Sequence, residues 1–493
     1  MKRYLFSLAA VLCLSSGAGI TAVPGGSYIL ENRFFRVTVS PESGGRIISF
    51  KSKVTGKEYT SPASDLGIAG LANWQDGSIK RSQWFGTQYR AEVIKDKQKS
   101  TLRLERLGSQ GMMDWVTAGI SYEVRENSST LHIKYSIAVN QNAMSSVPFC
   151  IWMHNSIQVK NEKAEMTLPA PEGIRKIGLD MTVPENESFH YDAADGWFTF
   201  KSRKSDEGLA FSAPWEKLMC FYNWQGSDAN TMEMMFYSHT IPHGGKFELP
   251  VDITLFDLKT APEGAGNGFA GSFRREKNKI TGVEIYAASS QTVTVEFRKR
   301  ILPGSLEIPI AGHKAVCTAG KSIKLDLDVT EPASGIEEII CRVRSSSGKT
   351  LMTMRAPNAR EGKTADYKRP AAGIKDADTN ERFGKRLAAS LAMKDCYKWN
   401  FDLPLAGGSR PWLKPYTGGK LKLLILTDMI SGREAIELAG RMDAEAETCT
   451  FSGMGWLDWH QLWAGRDGAT ESNIFLGNLL KKNWDAILIA GTL

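Results

Sequence analysis

The chain has 493 residues, of which 42% are hydrophobic and 23% charged, so it is too long for one ordinary domain and too apolar to be disordered. Sixty-one Lys and Arg against 54 Asp and Glu give a net charge of +7, a weak field at this length and no footprint for nucleic acid. At roughly 100–200 residues per domain, two to four domains are expected.

Residues 1–22 read as a signal peptide. Lys2 and Arg3 precede an apolar run over residues 4–14, and small residues follow as far as Ala22, where cleavage is expected. The run is too short to span a bilayer, and no later stretch reaches about 18 apolar residues. A soluble, exported protein is the expectation, secreted or periplasmic, with no membrane span. A lipoprotein anchored through Cys13 is the alternative, and Ala10, Val11 and Leu12 make a poor lipobox.

From residue 27 to about 260 the pattern is β throughout. FFRVTV, RIISF, TLRLER, SYEVRE, TLHIKYSIAV, FCIWM, WFTF, EMMFY and VDITLF are short runs of alternating or continuous apolar character, separated by Gly, Asn, Ser and Pro. Ten or more such strands without an amphipathic helix imply one large antiparallel sandwich. Residues 261–278 read as a linker. Gly266, Gly268 and Gly271 give a formal dinucleotide-binding match, but the following SFRREKNKI has no helical apolar face.

A smaller, immunoglobulin-like sandwich is expected over residues 279–357. Residues 358–419 read as a second linker with one possible helix, anchored by Trp399, Phe401 and Trp412. Residues 420–493 change class. LKLLILT, ETCTF and DAILIAGT read as parallel strands, with SGREAIELAGRM and NIFLGNLLKKN as crossover helices. This makes a partial α/β domain, expected to be completed by something beyond the sequence. The fold class is therefore multidomain and mainly β.

Beyond the leader the cysteines are sparse and sit in apolar runs such as LMCFY and IICRV, so buried thiols are expected; if a bridge forms, Cys317–Cys341 is the pair. No Cys/His spacing suggests zinc, and no cofactor or metal is expected. His239 and His243 are close in sequence, but Pro242 denies them a helical face.

ENRFFRVTVSPESGGRIISFKSKVTGKEY resembles the opening of galactose mutarotase-like domains, which fold as a β-supersandwich. WFGTQYRAEVI resembles the segment carrying that family's substrate-facing arginine, here Arg90. TLHIKYSIAVNQNAMSSVPFCIWMHNSIQV is similar to the stretch ending in its catalytic histidine, here His154. TMEMMFYSHTIPHGGKFELPVDITLF resembles the closing hairpin with its basic glutamate, here Glu233. The resemblance implies that carboxylate and imidazole take and give protons at an anomeric centre while arginine holds hydroxyls. The family's other histidine is replaced near Gln88. His190, Trp84 and Trp215 are further substrate-binding candidates, with Trp74 and Trp224 as additional sugar-stacking aromatics.

Each residue has a plainer alternative. His154 and the tryptophans could be core residues, while Arg90 and Glu233 could be surface strand residues. The last segment resembles the start of glutamine amidotransferase-like or flavodoxin-like domains, which implies assembly rather than chemistry. The expectation is an exported carbohydrate-binding protein whose partner is a sugar or polysaccharide, with oligomerisation through the C-terminal segment. The alternatives are an aldose epimerase or glycoside-processing enzyme using Glu233 and His154, and a structural surface protein.

Overall fold

A computed structural model of the chain describes residues 18–60, 68–73, 88–107, 116–141, 147–157, 164–170, 173–179, 186–190, 193–225, 230–236, 239–301, 306–332, 337–356, 421–428, 445–451 and 481–490. These residues are almost entirely β, and none of their helices is long and apolar enough to cross a membrane.

The first sheet runs β1 (Gly19–Ala22), β2 (Tyr28–Glu31), β3 (Phe35–Ser40) and β4 (Arg46–Ser52) in chain order, all antiparallel. Residue Ile20 is 5% exposed and belongs to the main core, and the Ser100 hydroxyl donates to the Ala18 carbonyl. The expected end of the leader at Ala22 thus falls at the end of a paired strand, and residues 18–22 are integral to the sandwich. The expected signal residues 1–17 lie outside the described set.

The chain continues through β5 (Ile68–Asn73), β6 (Arg90–Lys95), β7 (Lys99–Leu107), β8 (Val116–Arg125), β9 (Thr130–Val139), β10 (Val147–His154), β11 (Ser156–Ile157), β12 (Ala164–Ala170) and β13 (Gly173–Leu179). Then come β14 (Asn186–His190), β15 (Trp197–Ser202), β16 (Glu207–Ser212), β17 (Leu218–Gln225), β18 (Asn230–Phe236), β19 (His239–Ile241) and β20 (Lys246–Asp257). Nine of these form one sheet in the order β13-β12-β15-β16-β20-β9-β8-β7-β6. Seven form a second, β14-β17-β18-β10-β19, with β5 on β10 and β11 on β18.

Period-two patterning decides the layers. In the nine-stranded sheet Leu131, Ile133 and Tyr135, Leu209 and Phe211, and Leu249, Val251 and Ile253 all point inward. In the seven-stranded sheet Ile151 and Met153, Leu218 and Phe221, and Met232 and Met234 meet them in the same core. The first sheet adds Leu30, Phe35, Val37 and Phe50, and is pinned by buried Glu207, which accepts from Ser52, Thr55 and Tyr59.

The segment expected as a linker is not one. It supplies β21 (Gly264–Gly266) and β22 (Phe269–Glu276), which join β23 (Lys279–Ala287) and β26 (Lys321–Thr330) in one sheet. Its glycines mark close approach rather than a hinge. A Cβ at Gly264 would lie 2.5 Å from Met354 Cγ, and one at Gly271 would lie 2.9 Å from Met352 Cε. With β24 (Gln291–Ile301), β25 (Glu307–Cys317), β26 (Lys321–Thr330), β27 (Glu337–Ser345) and β28 (Thr350–Ala356), the second sandwich has sheets β21-β22-β23-β26 and β25-β24-β27-β28. Phe269, Phe273, Val295, Phe297 and Met354 fill it.

Cys317 and Cys341 are buried free thiols, not a bridge. They sit on strands that flank β24 from opposite sides. Two strand spacings are about 9.5 Å, beyond the roughly 7 Å that a disulfide spans.

The small sandwich docks on the outer face of the nine-stranded sheet. Trp197, Ala210 and Phe256 of that face pack with Ala265, Ala270 and Tyr286 of the small sandwich. Farther on, β29 (Lys422–Asp428), β30 (Glu445–Phe451) and β31 (Ala486–Ala490) form a parallel sheet in the order β30-β29-β31. Leu423, Leu424 and Ile425 are all buried, as a central parallel strand requires. The two expected crossover helices, and the expected linker over 358–419 with Trp399, Phe401 and Trp412, lie outside the described residues.

Candidate functional site

Strands β10 and β11 act as one bent strand along β18. Trp152 pairs with Met235, Met153 with Met234, Ser156 with Thr231 and Ile157 with Asn230. One unbroken register holds on both sides of Asn155, so His154 falls opposite Glu233. Asn155 fixes the junction, since its side-chain amide donates to the Met232 carbonyl at 2.9 Å and its own carbonyl accepts the Met232 N–H.

Alternation then sorts the side chains. Met153, Met232 and Met234 enter the core, while Trp152, His154, Ser156, Thr231, Glu233 and Met235 share the outer face. Strand β17 adds a third column, with Cys220 beside Met235, Tyr222 beside Glu233 and Trp224 beside Thr231. His154 Nε2 lies 3.5 Å from Glu233 Oε1, and the two side chains are 18% and 2% exposed. The Trp152 and Tyr222 rings meet edge to face at 6.2 Å beside them. A carboxylate and an imidazole in contact, set among aromatic rings on a largely buried face, can bind hydroxyls and exchange a proton.

The other expected residues lie elsewhere. Arg90 is an exposed residue of β6, the edge strand of the opposite sheet, where it pairs with Glu105. Its neighbours Ala91 and Val93 pack on the core, so Arg90 faces outward on the far side of the sandwich. The structure thus does not bring Arg90 together with His154 and Glu233 as the resemblance implies, because β6 belongs to the other sheet.

His190 is buried and takes a different partner, Arg175 Nη1 at 3.1 Å from its Nδ1. It pairs with Phe221 on β17, a core residue, so it points between the sheets rather than onto the face of Glu233. Trp215 is 42% exposed and donates through Nε1 to the Ala193 carbonyl, in the turn after β16 of the nine-stranded sheet. Trp74 and Trp84 lie outside the described residues. Of the expected aromatics, Trp224 is the one the structure places on the His154–Glu233 face. Ser156 and Thr231 escaped sequence reasoning, since their significance depends on the register.

No family pattern matches the chain, and no curated protein matches it. Solved structures resemble it at low identity. A Synechocystis protein is 13% identical over 51% of this chain and 99% of its own, with a TM-score of 0.38. A galactose mutarotase-like protein from Lactobacillus casei is 13% identical over 47% of this chain and 100% of its own, at 0.36. A galactose mutarotase-like protein from Clostridium acetobutylicum is 8% identical over 49% of this chain and 98% of its own, at 0.40. Likenesses of this size carry no argument about chemistry, which rests on the residues themselves.

A second concavity opens between the two sandwiches. This cleft of about 440 Å³ is lined by Asp195, Ser212, Asp252, Asn267, Lys349 and Thr353 among others. Burial pushes the Asp195 carboxyl above its ordinary range, against the Gly196 N–H and Trp197 that stabilise its charge. Asp252 is taken up by His132 at 2.7 Å. Among the described residues no group of three or more His, Cys, Asp or Glu is placed to hold a metal.

Proposed function

We propose that the chain is an exported carbohydrate-active protein that binds a sugar on the outer face of the seven-stranded sheet, with His154 and Glu233 at the centre of the site. The observation that carries this reading is the 3.5 Å contact between a partly exposed imidazole and a nearly buried carboxylate, flanked by Trp152, Tyr222 and Trp224. A carboxylate in an apolar surround accepts hydroxyl hydrogen bonds more strongly than a neutral group does. Aromatic faces supply the apolar contact that the C–H face of a sugar ring needs. Export is supported by Lys2, Arg3 and the apolar run that follows them.

Binding is favoured over turnover. Mutarotation needs a base at the anomeric hydroxyl and an acid at the ring oxygen, placed on either side of the sugar. Here the two candidate groups touch each other, and no arginine from β6 joins them. The same contact supports a second reading, in which Glu233 takes the hydroxyl proton and His154 protonates the ring oxygen once a sugar separates them. Calorimetric titration with D-galactose and D-glucose, together with polarimetry on freshly dissolved anomers, decides between them. Binding that weakens at least tenfold in Glu233→Gln, with interconversion at the spontaneous rate, is the expected result. Rapid interconversion abolished by that change would make the protein an epimerase, and no sugar binding in the wild type would end both readings.

A further inference from the structure

The outer face of the seven-stranded sheet holds more polar groups than the His154–Glu233 pair. Ser156 and Thr231 are directly opposed across β11 and β18, and are 4% and 6% exposed. Neither hydroxyl has a hydrogen-bond partner among the described residues. Burying a hydroxyl without a partner is costly, so two side by side require an explanation.

Their position supplies one. Directly opposed residues of an antiparallel pair have Cβ atoms about 4.5–5.5 Å apart, so the two hydroxyls can reach one small molecule together. They lie two residues along their strands from His154 and Glu233, about 6.6 Å away. The four side chains make a two-by-two patch of donors and acceptors, and a pyranose ring is wide enough to bridge it. Trp224 borders the patch on β17, directly beside Thr231, and is half-buried.

We propose that the Ser156 and Thr231 hydroxyls are hydroxyl-recognition residues of the His154–Glu233 site, each contacting a ring hydroxyl of the bound monosaccharide. The assignment rests on the sugar-binding reading above and says which side chains set its specificity. A hydroxyl both donates and accepts, as does each hydroxyl of a sugar, so the pair suits a neutral polyol better than a phosphate or carboxylate. Serine and threonine buried on rigid strands also spend little side-chain entropy on binding.

The test uses the full chain, with D-galactose, D-glucose and their monodeoxy forms as probes, by calorimetric titration. Thr231→Val and Ser156→Ala should each weaken binding of the better hexose about 3- to 10-fold, the range of one neutral hydrogen bond. Thr231→Ser, which keeps the hydroxyl, should stay within twofold. One monodeoxy sugar should bind wild type more weakly than its parent but bind Thr231→Val equally well, which identifies the contacted position. Melting temperatures control for folding. Thr231→Val should melt no lower than wild type, because it removes a buried, unpartnered hydroxyl while keeping the side chain's shape.

Wild-type binding with both variants within twofold would overturn this assignment and leave the sugar site standing. A lower melting temperature in Thr231→Val with unchanged affinity would do the same, giving the hydroxyls a structural role. No binding of any hexose by the wild type would overturn the sugar reading and this assignment together.

Discussion

The two outer faces of the large sandwich are built by the same alternation but meet their buried polar groups differently. Where the small sandwich covers the nine-stranded sheet, around β15, β16 and β20, the buried hydroxyls of the outward face find partners within the protein. Thr130 and Thr254 share a hydrogen bond of 2.9 Å, Ser129 bonds Tyr286 across the domain boundary at 2.7 Å, and Thr167 bonds Thr199. On the seven-stranded sheet the outward residues are just as deeply buried, yet Ser156 and Thr231 go without partners in the described residues. A face made for packing satisfies its own hydroxyls. A face made for a ligand can leave them for the ligand to satisfy.

The contrast predicts that damage to the first face costs stability and spares binding. Trp197 is 1% exposed at the junction of the sandwiches, packed with Ala210, Phe256 and Tyr286. Trp197→Ala should lower the free energy of unfolding by about 3–5 kcal/mol, measured by guanidinium denaturation. Below the transition its hexose affinity should remain within twofold of wild type. A large loss of affinity without loss of stability would mean that the two faces are coupled, and the contrast would fail.

A second prediction concerns the sheet that closes the core. A chain beginning at Val23 lacks β1 and the buried side chain of Ile20, whereas one beginning at Ala18 keeps both. Burying one isoleucine stabilises by about 1.5–3 kcal/mol, so the shorter chain should be about 2–3 kcal/mol less stable by the same denaturation. Equal stability would show that β1 is dispensable, in keeping with a leader that ends at Ala22.

The sequence disclosed strands far better than it disclosed neighbours. TLHIKYSIAV announces itself by Leu131, Ile133, Tyr135 and Ile137, all inward and buried. LKLLILT likewise reads as a parallel strand, and the structure places it at the centre of its sheet. FAGSFRRE alternates too, but the preceding run of glycines looks like a hinge until Met352 and Met354 are seen pressed against Gly264 and Gly271. His154 and Glu233 came from a resemblance rather than from periodicity, because nothing local shows that β10 and β18 are neighbours. Ser156 and Thr231 illustrate the limit most directly. Each is an ordinary strand residue until the register sets them opposite one another.

The smallest expected effect falls on Arg90, where the two faces can be told apart by a null result. It sits at the start of the edge strand β6, exposed, opposite Glu105 on β7. Glu105 is itself paired with Arg103 at 3.0 Å, so losing Arg90 leaves no buried charge behind. Glu105 is only its backbone register partner, and even an exposed ion pair contributes about 0–1 kcal/mol, while the side chain faces solvent on the sheet that does not carry His154. Arg90→Ala should therefore change stability by less than about 1 kcal/mol and leave hexose affinity within twofold. His154→Ala, by contrast, should weaken binding severalfold in the same titration, since it removes a group from the site itself. If Arg90→Ala weakened binding as much as His154→Ala, the sugar would have to reach the nine-stranded sheet. The binding face would then have been assigned to the wrong side of the sandwich.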